Sequence, residues 1–263
     1  MDARIEPTKL IAQDPGVLRL QHSVNNMGCL HDILLEVSPL RIEAERALAD
    51  PTLTESHQHA IFQRAATLND RLARWEEILS PESKPTTIGH VRASSNPYID
   101  VGHWPGPLHM YTDLRAAAIL NVSRVAQCYL LDIICRLKLI RADAEDNDQK
   151  RLKAMQLIQE FISSIAYHLV EDLHSFSTTV QRGNPIEQPG RAVGGLLLMY
   201  PLYIASQLST VPLELQDYFK RCLLWIRQNM GVGYASLLAK VRFQCCRSQF
   251  LVALIPSKGS FQH

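Results

Sequence analysis

The chain has 263 residues and a mass of 29.7 kDa, with 46% hydrophobic and 20% charged residues. That composition excludes a disordered protein and suits one large body or two domains of ~150 residues or less. Its 27 Lys and Arg balance 26 Asp and Glu, so no broad basic face is expected for gripping a nucleic-acid backbone.

Residues 1–17 carry Pro7 and Pro15-Gly16 and read as a loose arm without the apolar stretch of a secretory signal. Leu20, Val24, Met27, Leu30, Ile33, Leu34 and Val37 then recur at helical spacing. Ser38-Pro39 predicts the end of that helix and the start of another, since proline at a first helical position gives up only an amide that would be unpaired anyway. Thr52-x-x-Glu55 has the form of a capping box, and Ile61, Ala65, Leu68, Leu72, Trp75 and Leu79 follow on one face.

Between Ser80 and Pro107 stand prolines 81, 85, 97, 105 and 107 and glycines 89, 102 and 106, predicting a connecting stretch of ~25 residues without regular structure. It is either a seam between an N-terminal helical hairpin and the main body or a loop laid across that body. Tyr98 and Trp104 favour the second, because large aromatics gain most when covered.

A long helix is expected over Leu108–Ile140, with the acidic stretch Asp143–Asp148 breaking it. Another follows over Lys150–Val180, then a turn at Gly183-Asn184-Pro185. Further helices are predicted at Ala192–Ser209, Pro212–Met230 and from Gly233 to near Val252, with Gly231 and Gly233 as a stop and restart. No stretch alternates with the period of two that a half-buried sheet requires. The chain is therefore expected to be all-α, an irregular multi-helix bundle of about seven to nine helices. Residues 1–80 form N-terminal helices of the same body, 81–107 the Pro/Gly-rich connection, 108–255 the main helical domain and 256–263 a tail.

The most apolar window, Val193–Val211, is interrupted by Pro201, Ser206, Gln207 and Ser209 and falls short of the ~20 apolar residues of a membrane helix; no membrane contact is expected. Six cysteines without a C-x-x-C pair, and no secretory signal, point to free thiols in a reducing compartment.

The sequence lacks a nucleophile elbow, a phosphate-binding loop, a dinucleotide fingerprint and zinc-spaced cysteines, so no catalytic, cofactor or metal residues are expected. His57 and His59 point apart on a helix. His168 and Asp172 are four apart, and Glu171-x-x-His174 has the spacing of half a di-iron motif but no second copy; capping and surface hydrogen bonding are the expected roles here. Lys150-Arg151-Leu152-Lys153 reads as a solvated turn. His109, Tyr111 and Asp113 stand at a helix start, where they serve acid–base chemistry or, more simply, close the loop while Asp113 favours the helix's positive end. Asn121 shares an apolar face with Leu114, Ala117, Ala118 and Val125, so its amide is half-buried and must find partners. Arg124, one turn on, is expected to tie down a carboxylate such as Asp217 or Glu214, or a helix end. These five polar residues are the candidates for holding helices in register or for lining an effector pocket.

Three segments carry a resemblance. Leu108–Arg124 (LHMYTDLRAAAILNVSR) has a Tyr-x-Asp helix start followed by Asn-x-x-Arg. Gly194–Ala205 (GGLLLMYPLYIA) has Gly-Gly followed by Tyr-Pro-Leu. Trp225–Ala239 (WIRQNMGVGYASLLA) closes the set. In this order they resemble the helical regulatory domain of fungal binuclear zinc cluster transcription factors. That resemblance implies a regulatory or protein-interaction domain modulating fungal gene expression, without enzymatic activity or cofactor. It also implies protein partners, a small-molecule effector as a further partner, and a nuclear location with the cytoplasm as the other option. Such proteins carry an N-terminal cluster of six closely spaced cysteines. Here Cys29 is the only cysteine before Cys128, so none matches a zinc ligand and no direct DNA contact is expected from this chain. The departure fits a truncated factor, a gene product missing an exon or a stand-alone relative. A helical enzyme or small-molecule-binding protein with a polar interhelical pocket is the competing expectation.

Overall fold

The structure, a computed structural model, describes residues 15–50, 54–93, 99–141, 145–180, 185–186 and 189–240. Thr52, Tyr98, Gly183-Asn184, Cys245, Cys246, the arm before Pro15 and everything after Lys240 lie outside them. Among the described residues the chain forms eight α-helices, one 3₁₀ turn and one two-stranded sheet. In chain order these are α1 (Pro15–Ala49), α2 (Glu55–Glu77), β1 (Thr86–Val91), β2 (Gly106–Met110), α3 (Leu114–Arg141), α4 (Glu145–Leu169), α5 (Leu173–Thr179), α6 (Ala192–Ala205), α7 (Leu213–Met230) and α8 (Ala235–Lys240). The expected multi-helix fold holds, with eight helices among the described residues; it is mostly α, since a small two-stranded sheet joins the helices that the all-α reading anticipated.

Helix α3 is the centre. It packs against α1, α2, α4 and α6, while α1 also packs on α2, and α7 lies on α6 and α8. Every side chain from Ala117 to Cys135 is buried except Ile119. The stretch Leu114–Leu137 is long and apolar enough to cross a membrane, and it is almost wholly buried inside the protein. This is a different segment from the Val193–Val211 window that stands out by composition.

Several local predictions are corrected. Pro39 does not divide the first helix; α1 runs through it. Pro39 removes the partner of the Leu35 carbonyl, and both residues lie on the exposed side of α1, where a carbonyl without its amide costs least. The N-cap of α2 is Thr54, without a side-chain hydrogen bond. The long helix expected from Leu108 begins at Leu114, and that expected over Lys150–Val180 is two helices. Asp172 separates them: its carboxylate accepts from the His174 and Ser175 amides and starts α5, the capping role expected of it; His168, expected to serve capping or surface hydrogen bonding, is buried in the core instead. The helix before Val211 ends at Ala205, four residues early.

The connection 81–107 holds regular structure. Thr86-Thr87-Ile88 and Val91 suit a strand, and β1 pairs antiparallel with β2, Thr87 opposite His109 and Val91 opposite Gly106, with an irregularity between Thr87 and Gly89. Each strand is too short, and too rich in proline and glycine, to show a periodicity. The hairpin is held from outside: β2 lies on α4 and β1 on α5. Leu108 joins Val91, Ala166, Val170, Leu173 and Phe176 in a small second core. Its neighbour His109 points to the opposite face of the strand, as strand geometry requires.

Trp104 covers the Tyr218 ring at 4.9 Å between centroids, and the Tyr218 hydroxyl accepts from the Gly102 amide at 3.1 Å, tacking this connection across α7. Gly194 and Gly195 permit a close helix approach. A Cβ on Gly194 would run into the His168 carbonyl, and one on Gly195 would come within 2.6 Å of Met230 Sδ. Gly231 ends α7 in the left-handed conformation at φ 72°, which fits a helix stop and not a nucleotide loop.

Candidate functional site

Two polar clusters grow from α3. In the first, Asn121 is completely buried, beyond the half-burial its spacing suggested. Its amide nitrogen meets His168 Nε2 of α4 at 3.2 Å, and its carbonyl oxygen accepts from Ser164 Oγ at 3.1 Å. An amide can only donate through nitrogen, so His168 Nε2 accepts and the ring proton sits on Nδ1. Burial drives the His168 pKa down to about 3, with the Gly194 backbone opposing; the ring is neutral at physiological pH. The cluster is a dry cross-link between α3 and α4. Farther along α3, the buried Asp132 carboxylate accepts from Ser209 Oγ at 2.7 Å and the Thr210 amide at 2.8 Å, anchoring the α6–α7 connection.

The second cluster surrounds Arg124. Its guanidinium is almost fully buried (side chain 4% exposed) and ties three elements to α3. Nε reaches Glu76 Oε1 of α2 at 3.2 Å, Nη1 donates to the Tyr111 hydroxyl after β2 at 3.1 Å, and Nη2 meets Glu160 Oε2 of α4 at 3.2 Å. Gln127 Nε2 adds a 3.4 Å contact to Glu76 Oε2. Glu76 stands in the last turn of α2, where the helix's own carbonyls disfavour an anion; Arg124 and Gln127 supply the compensation. Arg124 does not reach Asp217 or Glu214. Asp217 pairs with Lys220 at 3.1 Å on the exposed side of α7, and α7 packs on α6 and α8.

His109 lies beside this cluster, its side chain 7% exposed and its Nδ1 3.7 Å from Glu160 Oε2. That is too far for a hydrogen bond, and Nδ1 has no hydrogen-bond partner. Burial lowers the His109 pKa; Glu160 pulls it up, while Arg124 and His90 add to the lowering. The imidazole is neutral at pH 7. Burial raises the Tyr111 pKa against the pull of Arg124, so its hydroxyl keeps its proton. Asp113 takes no part: it caps α3 by accepting from the Ala116 amide at 2.7 Å, the helix-start role expected of it.

His109, Arg124, Glu76, Glu160 and Gln127 border a cleft of about 680 Å³ between α2, α3, α4 and the hairpin, within the ~300–1,000 Å³ range of small-molecule pockets. Ala73, Pro85, Leu120 and Leu157 supply apolar wall, and Lys84, Thr87 and Lys153 the rim. Three of the five predicted polar residues thus converge, His109 and Arg124 on the cleft and Tyr111 behind it. Asn121 and Asp113 are occupied elsewhere. Sequence reasoning missed Glu76 and Glu160. The available signals were an acidic residue in a helix's last turn, and a glutamate set in the α4 face between Leu157 and Ser164.

The arrangement offers hydrogen bonds and a fixed cation already neutralised by two carboxylates. Among the described residues no group of three or more His, Cys, Asp or Glu is placed to hold a metal ion. Burial raises the thiol pKa of Cys128, and that of Cys222 to about 12, leaving both protonated.

The chain is similar to a fungal transcription factor. It is 40% identical over 218 residues to the protein named Transcription factor dbaG of Emericella nidulans. The match covers 80% of this chain and 51% of that protein, so the chain spans about half the length of the curated relative it matches. No protein-family model and no solved structure matches the chain.

Proposed function

We propose that this chain is a transcription-regulatory module that acts through protein contacts and does not itself grip DNA. The observation that carries the proposal is the 40% identity, over four fifths of the chain, to a protein named as a transcription factor. The near-zero net charge supports the second half, since phosphate neutralisation by Lys and Arg dominates non-specific DNA affinity. The resemblance of Leu108–Arg124, Gly194–Ala205 and Trp225–Ala239 to a fungal regulatory domain points the same way. Non-enzymatic action fits the deployment of Asn121, Asp113, Asp132 and Arg124, each engaged in joining helices or capping them. A nuclear location follows from the role.

The test is to tether the chain to an unrelated DNA-binding domain upstream of a reporter in a filamentous fungus and, in parallel, to profile transcripts after deletion of its gene. A changed reporter output together with a changed, coherent set of transcripts is expected. An unchanged reporter and an unchanged transcript profile would overturn the proposal. A mobility-shift assay at physiological salt is expected to show no DNA binding by the chain alone.

A further inference from the structure

The cleft beside Arg124 has a chemistry of its own. Its floor holds a buried imidazole nitrogen without a hydrogen-bond partner, His109 Nδ1, set 3.7 Å from a carboxylate oxygen of Glu160. A buried polar atom left unpaired is costly, and a group that supplies its partner recovers that cost. A single hydroxyl has both functions that the pair calls for, an acceptor and a donor. Placed about 2.8 Å from each atom, its oxygen accepts from Nδ1–H while its proton goes to the carboxylate. Glu160 itself is half-exposed (47%) on the open side, whereas Nδ1 is shielded from water, so a hydroxyl gains the pair by displacing the mobile end of the Glu160 side chain.

Charge selects further. The lining carries Lys84, Lys153 and Arg124 against Glu76, Glu77 and Glu160, so neither sign dominates. Arg124, the one deeply buried charge among them, already faces two carboxylates; an anionic ligand would have to displace one of them. Ala73, Leu120 and Leu157 present apolar wall beside the polar floor, which suits a compact apolar body attached to the hydroxyl.

We propose that this cleft binds a small uncharged molecule with an apolar body and a hydroxyl, the hydroxyl bridging His109 Nδ1 and Glu160. The site stands independently of the transcriptional reading: it binds or fails to bind whatever the chain regulates. If the chain does regulate transcription, the cleft gives it an effector, because occupation would join β2 and α4 across the mouth.

The experiment uses the whole chain, ¹⁵N-labelled, with the His109 ring nitrogens followed by long-range ¹H–¹⁵N NMR. The probe is phenol, and benzene, which lacks only the hydroxyl, is the control. Saturable movement of the His109 signals is expected with phenol, with benzene binding at least about tenfold more weakly. Glu160→Ala is expected to cost phenol most of that advantage, and His109→Phe to erase the difference between the two probes. Equal binding of phenol and benzene, movement confined to residues away from the cleft, no saturable movement up to the solubility limit, or an unchanged phenol affinity in Glu160→Ala would each overturn the proposal. Should His109→Phe fail to fold, the two probes on the unaltered chain and on Glu160→Ala still decide it.

Discussion

Asn121 and Arg124 stand one turn apart on α3, and both are buried polar residues in an apolar helix, yet they do different work. Asn121 is sealed: its amide is spent on His168 and Ser164, which are themselves inside the protein. Arg124 is buried too, but its partners Glu76 and Glu160 remain partly wet, 25% and 47% exposed. The same kind of residue makes a lock where its partners are dry and the floor of a cleft where they reach water. Both residues are buried and both are paired; the exposure of their partners separates the two outcomes here.

The largest effect is expected at the dry cluster. Asn121→Leu leaves His168 Nε2 without its partner, while the Ser164 hydroxyl keeps the Phe161 carbonyl at 2.7 Å; a lost buried partner costs ~1–3 kcal/mol, so urea unfolding should show a loss of about 2 kcal/mol. A loss below about 1 kcal/mol would mean that the cluster admits water.

The next effect is a pH dependence. The unfolded chain takes up a proton at His168 as pH falls below ~6.5, whereas the folded chain refuses it until about pH 3. The unfolded state therefore binds more protons across that window, and stability falls by ~1.4 kcal/mol per pH unit of acidification. His109, also shifted downward by burial, adds in the same direction. Unfolding at pH 7, 6 and 5 should give His168→Gln a shallower slope than the unaltered chain; equal slopes would contradict a dry His168.

At the wet cluster, Arg124→Met is expected to cost about 1.5 kcal/mol, less than the ~3–5 kcal/mol of a fully buried pair, because Glu76 and Glu160 can turn to water. Glu160→Ala should cost about 0.5 kcal/mol, since the half-exposed carboxylate contributes little to stability. If Glu160→Ala proved as damaging as Asn121→Leu, the contrast between the clusters would collapse.

Much of the fold was legible in the sequence, for identifiable reasons. The apolar spacing of α2 and the left-handed stop at Gly231 are local properties, written in a few adjacent residues. The hairpin was not legible because β1 and β2 are stabilised by α4 and α5 and carry too few residues to display a period. Pro39 misled because a proline's cost depends on whether the orphaned carbonyl is wet, which is a tertiary fact. Of the candidate site, His109 and Arg124 could be singled out by type and position. Their partners could not, since Glu76 and Glu160 come from helices whose arrangement around α3 is set by the whole core.

The most direct test of the central claim is a single pH titration of the ¹⁵N-labelled imidazoles by long-range ¹H–¹⁵N NMR. His168 is predicted to stay neutral, protonated on Nδ1, at every pH the fold survives above about 3. His168 taking up a proton near its ordinary value of ~6.5 in the folded chain would show that the lock on α3 is open to water, and would contradict the account.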